Sequence, residues 1–404
     1  MSSIYRQANF LRLFFAQMIS MAGDTLTEIG LAVFSLQLSH HSALAFGTVL
    51  ALGMLPNVLL GWVVAGVADR WNRRRVMIGG DLLRAGLVLS IPWVGSLSWA
   101  YVTVFLVQAI NLFYRPANRA VLPETVPPDK LTQANSAMET ASNILGIAGY
   151  GLASALVLTV GVRDMFIIDS ISFVISGLLI ARIDLPHSVW QPIATAGQNF
   201  WQSIGQGIRY YRAHPVLSHL LAITALGIFG VYSIEVLAAV MLYHIHRPTG
   251  YYGFLMGAMA VGMVLAGVLM ERFGDRRRPP FWITQGFLWM GLAIVAFGFT
   301  VSWPLMVAEF VVLGAGNIFY LIPMRSWIQA ITPLDMRGRV FAVRSFGIGL
   351  AAMLSLEGGA VLAEAWALRP VLLLAGVITL SASGYAWWQS RVPTAVEQPA
   401  TPLS

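Results

Sequence analysis

The sequence states its pattern twice. Ala65-Gly66-Val67-Ala68-Asp69-Arg70-Trp71-Asn72-Arg73-Arg74-Arg75 returns 202 residues later as Gly267-Val268-Leu269-Met270-Glu271-Arg272-Phe273-Gly274-Asp275-Arg276-Arg277. A second set, Phe113-Tyr114, Arg119, Pro127 and Asp129, returns at an offset of 206 as Phe319-Tyr320, Arg325, Pro333 and Asp335. In each half the charged cluster interrupts a long apolar field. Duplication inside such a field points to two related helical bundles around a central site, the build of a transporter. A soluble repeat protein would need a polar face on each helix, and these segments have almost none.

Only 11% of residues are charged and 57% are hydrophobic, where a soluble domain carries roughly 25% charge. Apolar segments of about 20 residues, enough to cross a bilayer, follow one another along the chain. Twelve spans are read at 9–37, 43–67, 76–97, 99–120, 135–160, 165–183, 216–242, 250–270, 281–301, 303–324, 340–363 and 369–389. The expected fold is an all-α membrane protein of twelve transmembrane helices in two six-helix bundles around a central cavity. The first span is too long and too polar for a signal peptide. The expected divisions are a bundle at 1–184, a linker at 185–215, a bundle at 216–390 and a disordered Pro/Thr/Ala-rich tail at 391–404. Within the linker, 200–211 has the pattern of an amphipathic interfacial helix.

The arginines set an orientation. Alternate connections hold Arg70, Arg73, Arg74, Arg75, Arg119, Lys130, Arg209, Arg212, Arg272, Arg276, Arg277, Arg278, Arg325 and Arg337, while the opposite side holds Arg163, Arg247 and Arg369. By the positive-inside rule both termini are cytoplasmic and the chain is multi-pass in the cell membrane. The net charge of +7 therefore belongs to loops at a lipid bilayer rather than to a nucleic-acid surface. Trp93, Trp99, Trp303 and Trp366 fall near the outer ends, where an aromatic belt belongs. No cysteine is present, and no Walker A loop, catalytic triad or metal-ligand set stands out. His40, His41, His244 and His246 fall in outer loops without an acidic partner and read as solvated residues.

The first charged cluster resembles the loop signature of the major facilitator superfamily, roughly G-x-x-x-D-R-x-G-R-[RK], through Asp69, Arg70, Arg73 and Arg74; Ala65 and Asn72 replace its glycines. Asp81-Leu82-Leu83-Arg84-Ala85 resembles a branch of macrolide-efflux and enterobactin-exporter-like proteins. So do Arg115-Pro116-Ala117 with Leu122-Pro123-Glu124, Phe166-Ile167-Ile168-Asp169 and Arg337-Gly338-Arg339-Val340-Phe341. The resemblance implies the twelve-helix fold, with spans 1, 4, 7 and 10 lining the cavity. It also implies an inner gate, in which Asp69 faces the start of span 11 with Arg70, Arg73 and Arg74 beside it. By symmetry Glu271 with Arg272 faces the start of span 5. Many antiporters of the family carry a Gly-Pro pair in span 5, where this chain reads Gly149-Tyr150-Gly151.

The sharpest chemical signal is Asp24 and Glu28 in the first span. From Asn9 to Asp24 a helix rises about 22 Å, and the i, i+4 spacing puts both carboxylates on one face. Ionisable groups at that depth mark substrate or proton pathways. Span 7 echoes Gly23 and Glu28 with Gly230 and Glu235, and adds Tyr232, span 4 offers Gln108, Asn111 and Arg115, and span 10 offers Glu309 and Asn317. Glu357 and Asp169 read as structural. The functional expectation is a monomeric secondary transporter with no cofactor. It exports small amphipathic molecules, drug-like or siderophore-like, by alternating access, with the proton gradient as energy source. A lipid or lysolipid mover, an uncoupled uniporter and a non-transporting sensor or scaffold are the rival readings.

Overall fold

Asn72 begins its helix itself: its side chain accepts the Arg75 N–H at 3.1 Å, filling one of the donors a helix start leaves open. Most of the other long helices start without a side-chain cap, and hydropathy sets their lengths. The computed structural model describes residues 4–67, 72–184 and 200–391. Among them lie α1 (Ala8–Leu38), α2 (Ala43–Val67), α3 (Arg73–Val94), α4 (Leu97–Val121), α5 (Leu131–Thr159) and α6 (Val162–Ala181). Then come α7 (Phe200–Ala213), α8 (Pro215–His244), α9 (Tyr252–Phe273), α10 (Pro279–Phe297), α11 (Trp303–Ile331), α12 (Leu334–Ala365) and α13 (Leu368–Arg391). All but α7 are long and apolar enough to cross a membrane, so the all-helical, twelve-span reading holds.

The boundaries differ from the sequence reading in two instructive places. The third span starts at Arg73 rather than 76 because of the Asn72 cap. The tenth continues through Pro323 to Ile331, seven residues past the end at 324 read from sequence. Neighbouring helices re-satisfy the groups a proline frees inside a membrane helix. Pro116 in α4 does the same 207 residues earlier.

The chain forms two compact units, one of Met1–Gly197 with Leu242–Gly257, the other of Gln198–Met241 with Ala258–Ser404. In the first, α1 packs on α5 and α6, α3 on α4 and α6, and α2 on α4. Its Leu242–Gly257 segment is held by the Ser154 hydroxyl donating to the Gly250 carbonyl, and by Tyr252 edge-on to Phe46 at 5.5 Å between ring centres. In the second, α10 packs on α11 and α13, and α12 on α13 and α7. Gly207 of α7 lies so near α12 that a Cβ would stand 2.6 Å from Val343 and 2.8 Å from the Arg339 carbonyl.

The duplication is legible in the packing. A Cβ on Gly23 of α1 would overlap Asp169 and Ser172 of α6; a Cβ on Gly230 of α8 would overlap Ala375 and Thr379 of α13. Gly23 and Gly230, like Ser172 and Thr379, are 207 residues apart. Gly80 likewise faces Tyr114 and Ile110, and Gly286 faces Tyr320 and Gly316, all at an offset of 206. Lipid is as apolar as the side chains, so close approach at small residues supplies the helix–helix attraction. Gly23→Ala and Gly230→Ala therefore lower the thermal unfolding midpoint of detergent-purified protein, an overpacking cost of about 1–3 kcal/mol each. Gly86→Ala, where a Cβ meets nothing within 4 Å, leaves the midpoint unchanged or raised. Equal midpoints for all three would show that these contacts do not hold the bundles.

Candidate functional site

The helical spacing of α1 presents Asp24, Thr27 and Glu28 to a cavity of about 390 Å³ inside the first unit. Asn57 enters from α2, and Gln108, Asn111 and Arg115 from α4. Five of the residues singled out from sequence, Asp24, Glu28, Gln108, Asn111 and Arg115, thus meet around one space. Glu28 is open to it and accepts the Tyr150 hydroxyl from α5 at 3.1 and 3.2 Å on its two oxygens. Asp24 lies within electrostatic reach of Arg84 and Arg115.

Behind this wall is a buried charge network that the sequence reading passed over. Arg84 of α3 is 1% exposed and Asp81 fully buried. The two form an ion pair. Arg84 also donates to Asn111 Oδ1 at 2.7 Å, and its guanidinium lies 4.3 Å over the Tyr114 ring and 4.4 Å over the Phe173 ring. The second Asp81 oxygen accepts the Ser176 hydroxyl of α6 at 2.8 Å, and Asn111 donates to Gln108 at 3.3 Å. Asp169 of α6, also fully buried, accepts Thr27 at 2.5 Å and Ser172 at 3.0 Å. A buried charge is tolerable when each oxygen and each N–H finds a partner. The signal for Asp81 and Arg84 was their i, i+3 spacing inside an apolar span.

The second unit distributes its polar groups differently. Tyr232 and Glu235 of α8 stand within electrostatic reach of one another, and Tyr232 of Tyr320 on α11. Glu309 lies apart, near the other end of α11, where the Thr300 hydroxyl donates to it at 2.5 Å. Asn317 is half-buried on α11. Arg344 of α12 is a further group missed from sequence. It is 5% exposed, its Nε and one terminal nitrogen have no hydrogen-bond partner, and Tyr320, Arg325 and Tyr211 lie within electrostatic reach.

Of the gate residues, Asp69 and Arg70 lie outside the described residues. Arg73 pairs with Glu124 at 3.0 Å, and Arg74 donates to the Ala181 carbonyl at the end of α6. Both bonds are made within the first unit. Glu271 and Arg272 are exposed at the end of α9, the arginine 5.7 Å from the Phe273 ring centre. Of the loop histidines, His41 stacks on Tyr243 at 3.7 Å. Burial, with His40 and His244 nearby, holds His41 below its ordinary pKa. Among the described residues no group of three or more His, Cys, Asp or Glu is arranged to hold a metal ion.

Twelve spans, a duplicated packing scheme and an acid-lined cavity define a membrane transporter, and sequence comparison gives its family. The family model of the Major Facilitator Superfamily matches residues 13–281 and 236–403, so the chain belongs to that superfamily. It is 26% identical over 379 residues to the MFS-type transporter YkuC of Bacillus subtilis, covering 87% of this chain and 86% of that protein. It is 23% identical over 379 residues to macrolide efflux protein A of Streptococcus pyogenes, covering 92% and 93% respectively. Among solved structures, a mutant of the nucleoside transporter NupG superposes with a TM-score of 0.79 at 10% identity, covering 94% of this chain and 99% of that one. That likeness concerns the fold.

The buried pair generates a stability prediction. Removing one partner leaves an uncompensated charge in low dielectric, which costs about 3–5 kcal/mol. Arg84→Met or Asp81→Asn alone should sharply lower the yield of monodisperse protein and its unfolding midpoint, while Arg119→Met, at an exposed site, should change neither. An Arg84→Met protein as stable as the parent would remove the pair from the account of the fold.

Proposed function

We propose that this transporter exports small amphipathic organic molecules, neutral or singly cationic, in exchange for protons. Asp24 and Glu28 are the coupling pair, the proton gradient is the energy source, and a monomer in the cell membrane is the working unit. The observation that carries the reading is the charge count around the first-unit cavity. Asp24 and Glu28 line it against Arg115, with Asp81, Asp169 and Arg84 buried behind its wall. With Asp81 spent on Arg84, the remaining acids outnumber the remaining guanidinium.

In a site of low dielectric such an excess is relieved either by taking protons or by admitting a cation. Two species that relieve the same charge compete for it, and competition between proton and substrate is the basis of exchange. Likeness to macrolide efflux protein A supports the outward direction and an amphipathic substrate. Tyr232, Glu235 and Asn317 are assigned to substrate contact in the second unit, and Glu309, bonded to Thr300, to a peripheral role.

Proteoliposomes with an imposed pH gradient test the coupling. Asp24→Asn should abolish proton-driven accumulation of a lipophilic cation while leaving its exchange down its own gradient, and Glu28→Gln should give a weaker loss or a shifted pH optimum. Normal accumulation by Asp24→Asn at matched expression would retire the residue. Displacement of a bound probe by catecholate siderophores more readily than by lipophilic cations would overturn the charge preference.

The repeated acidic–basic loop is assigned to gating on the arginine-rich side, with Asp69 and Glu271 as the acids and Arg70, Arg73, Arg74 and Arg272 as the bases. A charge at a helix start is worth roughly 0.3–1 kcal/mol when exposed and up to about 2 when partly buried, and 1.4 kcal/mol changes a two-state ratio tenfold. Asp69→Asn should therefore lengthen distances between spin labels on the arginine-rich ends of α2 and α12. The cysteine-free chain accepts such labels directly, and unchanged distances would count against the gate.

A further inference from the structure

A large cavity in the second unit lies away from Tyr232, Glu235, Glu309 and Asn317. It has a volume of about 990 Å³ and sits at the arginine-rich end of the bundle, where α8 and α10 begin and α11 and α13 end. Arg278 and Arg391 line it, with Trp327, Trp387, His214 and Gln389. The Arg391 guanidinium lies 3.8 Å over the Trp387 ring, and Arg278 is the N-cap residue of α10. His219, in a smaller adjoining cavity that Gln389 also lines, contacts Tyr385 at 2.6 Å and Gln389 at 3.2 Å, giving the recess a polar floor.

These features fit one ligand chemistry. Two guanidiniums lining one recess favour a phosphate group. Tryptophans at the end of a span stand at headgroup depth, and basic recesses between membrane helices suit anionic lipid headgroups. Trp387 and Trp388 are 48% and 56% exposed, an apolar surface suited to acyl chains. A free phosphate would use the arginines and leave these rings idle. The comparable groove of the first unit, about 490 Å³ and lined by Asn72, Arg75 and Phe113, has one arginine and no tryptophan.

We infer that this recess is a binding site for one anionic glycerophospholipid, its phosphate between Arg278 and Arg391 and its chains along the α13 tryptophans. The site is independent of what the protein transports. Native mass spectrometry of the full chain, released from micelles doped with phosphatidylglycerol or phosphatidylcholine of equal chain length, tests it. One phosphatidylglycerol should remain bound at collision energies that strip phosphatidylcholine. Arg278→Gln/Arg391→Gln should reduce that adduct by roughly tenfold or more, two arginines being worth about that much against an anionic lipid. Ser390→Trp, which fills the recess without removing charge, should reduce it too, and Arg276→Gln, in the same loop but outside the recess, should not. Four results would overturn the inference: equal retention of both lipids, an unchanged adduct in the double variant and in Ser390→Trp, displacement by inorganic phosphate alone, or a dimer in place of the adduct.

Discussion

A guanidinium sits among helices where hydrocarbon would make it intolerable, and the first unit is organised around that group. Arg84 is surrounded on every side by something that accepts or stabilises its charge: Asp81 on its own helix, Asn111 and Tyr114 on α4, Phe173 on α6. Each partner fixes a helix, since a buried charge that loses a partner costs several kcal/mol. Asp81 in turn takes the Ser176 hydroxyl and ties α3 to α6. One turn earlier than Phe173, α6 carries Asp169, which takes the Thr27 hydroxyl of α1 where Gly23 allows the two helices to touch. The position of Asp24 and Glu28 thus descends, contact by contact, from where Arg84 is held.

The other half shows that this charge is not a requirement of the fold. At the offset of 206 fixed by Gly80 with Tyr114 and Gly286 with Tyr320, Asp81 corresponds to Phe287 and Arg84 to Met290. Phe287 and Met290 are both fully buried, and Phe287 stacks on Tyr320 at 4.7 Å, taking the place of the Arg84 guanidinium over Tyr114. At the offset of 207, Asp169 corresponds to Gly376. The helix contacts have been kept and the ions replaced by apolar packing, which does the same structural work without desolvating a charge. Polar groups retained in only one copy of a duplicated scaffold are therefore specialised. On the proposed reading, their specialisation is the exchange of a proton for a cation.

This asymmetry also explains what could be read from the chain beforehand. Hydropathy and the duplicated loop cluster give the twelve helices, because length and apolarity are the whole of what a bilayer demands of a span. Asp24, Glu28, Gln108, Asn111 and Arg115 announce themselves as polar residues in apolar runs, and helical periodicity brings them round one cavity. Asp81 and Arg84 were equally visible, yet a site argument finds them only once the depth of α3 is known, and that depth depends on the Asn72 cap. Arg344 falls inside the eleventh span read from sequence, at 340–363, but nothing beside it in the chain marks it as unpaired. It is an arginine ten residues into a long helix, and its want of hydrogen-bond partners comes from the helices packed around it. Tyr150 was seen only as a missing proline.

That tyrosine bears on how two acids four residues apart come to differ. With proline at position 150 there would be no hydroxyl from α5, and Glu28 would meet the cavity unaccompanied. As it stands, the Tyr150 hydroxyl reaches both Glu28 oxygens, while Asp24 lies within electrostatic reach of Arg84 and Arg115. Paired carboxylates in unlike surroundings take unlike roles. Glu28 is oriented by a neutral donor that a competing ligand can displace at small cost. Asp24 has two guanidiniums within electrostatic reach, Arg84 fixed in the core and Arg115 exposed on the cavity wall. Under the proposed mechanism a cationic substrate that enters competes with protons for Asp24, and Glu28 supplies a second contact by leaving Tyr150. Proline at this position would bend α5 but contribute nothing to that exchange, so the departure from the family pattern is compatible with antiport in this chain rather than an argument against it.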